Sequence, residues 1–143
     1  MTRTQRIKRI ADLADMTKRI ASQRVSGSRQ RHEANLGKLA DFRGYLQDYT
    51  NALKQPGSAM SAADACTLRS FIVQLERTIS ALETHTQRSG QECTRDLDAW
   101  KQESHRANAL LDVVVRAIHA DNSEFEGRLQ RELDDSRRPR TDD

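Results

Sequence analysis

Apolar residues recur along this chain at helical spacing. Past the midpoint of the first hundred residues, Leu68, Ile72, Leu75, Ile79 and Leu82 alternate steps of four and three. That is the a/d seam of a helix that closes against a partner helix. Upstream, Leu36, Leu39, Leu46 and Leu53 recur at steps of three and seven, after a weaker stripe of Ile10, Leu13, Thr17 and Ile20. Period-two alternation, the mark of a half-buried strand, is absent. After Leu82 the stripe passes through Thr86, Gly90 and Cys93. Their steps of four, four and three predict a stutter that locally unwinds the supercoil. It resumes sparsely with Leu97, Trp100, Ala107, Leu111, Val114 and Ile118.

The two prolines, Pro56 and Pro139, leave two long proline-free segments rich in helix formers. Pro56 pushes Gln55 out of the helical region, and Gly57 permits a turn. Ser61-Ala-Ala-Asp64 then reads as a helix start. The Ser61 hydroxyl can accept an early backbone N–H, and Asp64 sits favourably at the positive helix end. These signals predict an all-α fold, a long two-helix antiparallel coiled-coil hairpin forming a single domain over 1–143. Helix one is expected over about 4–54, the turn over 55–61, helix two over about 62–132, and a disordered tail over 133–143. With the turn centred near Gly57, Leu46 faces Leu68 and Arg69, Leu36 faces Ile79, and Ile10 faces His105. The first arm would run ~75 Å at 1.5 Å per residue. The second arm would outrun it from about residue 112, leaving Val113-Val114-Val115 and Ile118 unpartnered in a monomer.

Composition supports an extended molecule. Hydrophobic residues are 36% of the 143 and charged residues 31%, too little apolar surface for one compact core. Net charge is only +3, so the chain does not read as disordered. The charge is uneven: residues 1–31 carry nine Lys/Arg and two Asp/Glu, and residues 92–143 carry nine basic and thirteen acidic residues. The free ends of the hairpin are therefore its charged end. No apolar run reaches the 18 residues a membrane span needs. The basic start, Met1 to Ile10, has no apolar signal-peptide core. Cys66 and Cys93 have neither metal nor redox spacing and fit a reducing cytoplasm.

No catalytic constellation emerges, so the chain does not read as an enzyme. His32, His85, His105 and His119 form no zinc-type spacing and read as solvated surface residues. The phosphate-binding glycine motifs and the nucleophile elbow are absent. The basic residues of the first third (Arg3, Arg6, Lys8, Arg9, Lys18, Arg19, Arg24, Arg29, Arg31) allow three readings. They form a solvated face, or one paired across the hairpin with Glu92, Asp96, Asp98 and Glu103. They bind an acidic protein. Or they neutralise nucleic-acid phosphates, although no helix-turn-helix or forked basic region accompanies them.

Phe42, Tyr45 and Tyr49 share one helix face beside the seam, and Phe71 flanks the second seam at a similar level. In a chain with 4% aromatics this is a concentration. Two readings stand: a thickened apolar edge with its tyrosine hydroxyls in water, or a patch that docks a partner. Gly37 and Gly44 weaken the first helix. Either they admit a close partner or the helix tolerates them.

Tyr45-Leu-Gln-Asp-Tyr49 followed by Asn51-Ala-Leu53, then Phe71-Ile-Val-Gln-Leu75-Glu-Arg-Thr-Ile79, then Leu97-Asp-Ala-Trp100, resembles the FliJ family of flagellar export proteins. The likeness covers most of 5–115. It implies a cytoplasmic stalk or adaptor of the type III export apparatus, similar in fold to the antiparallel coiled coil of the rotary ATP synthase gamma subunit. Such a protein serves flagellum biogenesis, motility and chemotaxis without a cofactor. The implied partners are the export ATPase FliI, the gate protein FlhA and the export chaperones, with peripheral association at the inner membrane through them. The gate-binding face would fall on Phe42, Tyr45, Tyr49, Phe71 and Leu75. The charged free end, with Arg6, Lys8 and Arg9, would face the ATPase ring. The corresponding stalk of a virulence type III system is the nearest alternative, and a basic coiled-coil nucleic-acid-binding protein is the alternative from another class.

Overall fold

The structure, a computed structural model, describes residues 1–55 and 59–139. Two helices, α1 (Arg3–Lys54) and α2 (Ala62–Arg137), account for nearly all of them, with no strand among the described residues. A reciprocal cap opens α1: the Gln5 N–H donates to Thr2 Oγ1 at 3.2 Å, and the Thr2 N–H donates to Gln5 Oε1 at 3.0 Å. Ser61 caps α2, its Oγ accepting the Asp64 N–H at 3.1 Å. The expected turn residues Pro56 and Gly57 lie outside the described residues, as do 140–143 of the expected tail. Helix α2 continues through 133–137, where the tail was expected, and Gln130 Nε2 donates to Asp134 Oδ1 at the start of that stretch.

The contacts group into two units, 1–20 with 101–143, and 21–100. In each the two helices run antiparallel. In the 21–100 unit, Leu39, Leu75 and Ile79 form the buried core, with Phe42, Leu46 and Leu82 packed against it. In the other unit the core is small-residue packing: Ala11 and Ala14 from α1, Ala107 and Val114 from α2.

The inward positions follow a stricter rule than the apolar pattern indicated. On α1 they include Ile7, Ala11, Ala14, Lys18 and Ala21, then Val25, Ser28, His32, Asn35 and Leu39, alternating steps of four and three without a break. The expected early stripe of Ile10, Leu13 and Ile20 instead faces solvent, each about half exposed or more, and so does Leu36. On α2 the alternation runs through Leu82, Thr86, Ser89, Cys93, Asp96 and Trp100, then Glu103, Ala107, Leu110, Val114 and Ala117. There is no stutter: Ser89, not Gly90, holds the inward position. Leu111 and Ile118, expected in the seam, flank it and are exposed. The heptad is intact, but small and polar residues occupy many of its positions, so a count of apolar residues misplaces it.

The register also differs from the expectation. Tyr49, expected opposite residue 66, meets Phe71. Arg43, expected opposite residue 72, bonds Glu83 at 3.0 Å. In the other unit Thr4 Oγ1 donates to Asp121 Oδ2 at 2.6 Å, where residue 111 was expected. Each partner falls five to eleven residues further along α2. Helix α2 therefore begins beyond the level at which α1 ends. Side-chain pairing along the two helices, rather than the midpoint expected for the turn, sets the register. Val114, expected to lack a partner, is buried at 5% exposure for this reason. Val113, Val115 and Ile118 are exposed because they flank the seam.

Candidate functional site

Two surfaces carry the residues that the sequence singles out. The first is in the 21–100 unit. Phe42 packs its ring against the core and edge-on to Tyr45, centroids 5.8 Å apart. Tyr49 meets Phe71 edge-on across the helix pair at 5.0 Å. Tyr45 and Phe71 are about half exposed and Tyr49 slightly less. Tyr49, Phe71 and Leu68 with Met60, Asp64 and Thr67 line a shallow groove at the start of α2. The structure thus brings Tyr49 and Phe71 together into one presented edge. Leu75 is placed differently: at 6% exposure it lies in the core between the helices, where it supports the edge rather than presenting a surface.

The second surface is in the 1–20/101–143 unit. Arg6, Lys8 and Arg9 are all exposed, and none joins an ion pair among the described residues. They do not share one face. Arg6 precedes the inward Ile7, Lys8 follows it, and Arg9 points between these directions, away from α2. The cross-hairpin pairing of the basic third is not seen among the described residues. Arg19 bonds Asp15 on its own helix at 3.0 Å. Asp96 accepts from the Ser28 hydroxyl, and Arg31 Nη2 donates to Ser28 Oγ at 3.3 Å.

Sequence reasoning missed a polar layer within the 21–100 unit. Ser28 is buried at 1% exposure and donates to Asp96. Ser89 Oγ donates to the Thr86 carbonyl at 2.8 Å. Its single proton thus spent, it accepts from His32 Nδ1 at 2.9 Å, which assigns that proton to Nδ1. His32 is therefore a seam residue, not the solvated surface group expected, whereas His85, His105 and His119 are exposed. The unbroken three-four alternation was the signal that could have found this layer. Gly37 and Gly44 face open space, and the close approach of the two helices occurs at Gly90, against His32.

Among the described residues there is no group of three His, Cys, Asp or Glu placed to hold a metal ion. No helix there is long and apolar enough to cross a membrane. Cys66 and Cys93 are free thiols. The protein-family model described as "FliJ: Flagellar FliJ protein" matches residues 3–139. No curated protein and no solved structure matches the chain.

Proposed function

The chain belongs to the FliJ family of flagellar proteins, and from that premise we propose that it is a stalk or adaptor of the flagellar type III export apparatus. It acts by binding rather than catalysis. The match over nearly the whole chain, on two antiparallel helices with no other element among the described residues, carries the reading.

The exposed aromatic edge of Tyr45, Tyr49 and Phe71 docks on the membrane export gate FlhA, with Phe42 and Leu75 holding it from beneath. Aromatic side chains are effective interface anchors because they bury large rigid areas at low entropic cost. The basic end, with Arg6, Lys8 and Arg9, docks on the ring of the export ATPase FliI, where unpaired exposed arginines and lysines favour an acidic surface. Export chaperones are handled in the same place, at the cytoplasmic face of the inner membrane, and the chain reaches that face through its partners. The family description favours the flagellar over the virulence system.

Capture by the purified ATPase and gate tests this. Arg6→Glu with Lys8→Glu and Arg9→Glu should lose the ATPase and keep the gate, and Tyr45→Ala with Tyr49→Ala should do the reverse. Capture of neither partner by the unaltered chain would end the reading.

A further inference from the structure

The first twenty residues of α1 present their surfaces in an inverted order. Alanines face the partner helix, whereas Ile10, Leu13 and Ile20 are 53%, 65% and 48% exposed. Each of these three sits directly before an inward alanine. Arg3 and Arg6 likewise precede the inward Thr4 and Ile7. On α2, Arg106, Val113 and Arg116 precede the inward Ala107, Val114 and Ala117.

In an antiparallel pair of right-handed helices, the positions before the seam fall on the same side of both helices. One observation bears this out: Arg3, Val113 and Arg116 line one groove, which Asp121 also lines.

This side of the 1–20/101–143 unit therefore combines four exposed arginines with Ile10, Leu13, Ile20 and Val113. No Asp or Glu occupies any such position over 3–20 or 102–123. None of the four arginines joins an ion pair among the described residues. The opposite side is compensated. Lys8 and Arg19 there are interleaved with Asp12 and Asp15, and Arg19 is bonded to Asp15. Exposed aliphatic residues lie on both sides, Leu111, Val115 and Ile118 following the inward positions, so what sets this side apart is its unpaired arginines.

We propose that this side adsorbs to an anionic phospholipid surface. Its arginines bind headgroup phosphates, and its exposed isoleucine, leucine and valine enter the headgroup boundary. A basic face with unpartnered aliphatic residues is the composition of a helix that lies in a membrane interface. Nucleic acid fits less well. Phe125 beside Arg3 is one aromatic where stacking on successive bases calls for several, and aliphatic residues gain nothing against a phosphate backbone. The proposal does not depend on the export reading.

The test is co-sedimentation of the full chain with vesicles of phosphatidylglycerol and phosphatidylethanolamine, against vesicles of phosphatidylcholine. Binding to the anionic vesicles alone is expected, weakening as salt rises. Arg6→Glu with Arg116→Glu should weaken it by more than tenfold, at roughly fivefold per arginine contact. Ile10→Asp with Leu13→Asp should weaken it severalfold. Lys8→Glu with Arg19→Glu, an equal change of net charge on the other side, should leave it nearly unchanged, because neither residue meets the surface. All six sites are exposed, so helicity by circular dichroism should be unchanged. No binding to anionic vesicles, equal loss in the Lys8 and Arg19 variant, or indifference to Ile10→Asp with Leu13→Asp would each overturn the proposal. So would tighter binding to duplex DNA that survives the aspartates, which would assign the face to nucleic acid.

Discussion

The ring of His32 lies against the backbone of Gly90, so closely that a methyl group at position 90 would stand 3.1 Å from His32 Cε1. Ser89 holds that ring by its Nδ1 from the adjacent residue of α2. The contact separates three glycines that look alike in the sequence. Gly37 and Gly44 have nothing within 4 Å of such a methyl. Gly37→Ala and Gly44→Ala should each stabilise the protein by about 0.5–1 kcal/mol in urea titration followed by circular dichroism, the helix-propensity difference. Gly90→Ala should yield less, because His32 must move. In a His32→Ala background Gly90→Ala should recover the full gain, a double-mutant coupling that additive effects would contradict.

The polar layer gives a second contrast. Thr86 Oγ1 is buried with no partner among the described residues, so Thr86→Val removes an unpaired hydroxyl and should stabilise by about 1 kcal/mol. Asp96→Ala does the opposite. It strips the acceptor from Ser28, which is almost fully buried, and should cost about 1–3 kcal/mol. The pair of urea midpoints checks both signs.

Stability and docking should separate within the aromatic region. Leu75→Ala opens a cavity in the core beside Leu39 and Ile79 and should cost about 2–4 kcal/mol. Tyr49→Ala forfeits an edge-to-face contact with Phe71 and should cost only about 0.5–1.5 kcal/mol. A gate-binding defect in Tyr49→Ala without loss of helicity would then report on the surface itself. Equal destabilisation by the two changes would contradict the placement of Leu75 in the core.

The register can be measured directly. Spin labels at positions 43 and 83 replace a pair whose side chains bond at 3.0 Å and should report neighbouring helices. Labels at 43 and 73 should lie further apart, since ten residues of α2 advance about 15 Å. A shorter distance at 43 and 73 would restore a turn-centred register.

How much of this was legible is clearest from particular residues. Leu68, Ile72, Leu75, Ile79 and Leu82 announce a seam because large apolar side chains occupy every a and d position there, and the structure buries or half-buries all five. Ile10, Leu13 and Ile20 give a weaker signal at the same spacing and mislead, because the face that packs beside them is built of alanine. Periodicity reveals that a helix has an apolar stripe, not which of two stripes its partner covers. Of the aromatic edge, the shared face of Tyr45 and Tyr49 was readable on one helix. Its contact with Phe71 needed the register.

The sequence by itself determined two long helices, the end of the first at Lys54 and the cap at Ser61, because proline placement, helix propensity and capping act within a few residues of where they are written. The tertiary structure alone decided which face of each helix turns inward, the advance of α2 relative to α1, and the burial of Ser28, His32 and Asp96. Such polar groups are tolerable inside only when a partner across the pair supplies their hydrogen bonds, and no local stretch of the chain contains both halves of that arrangement.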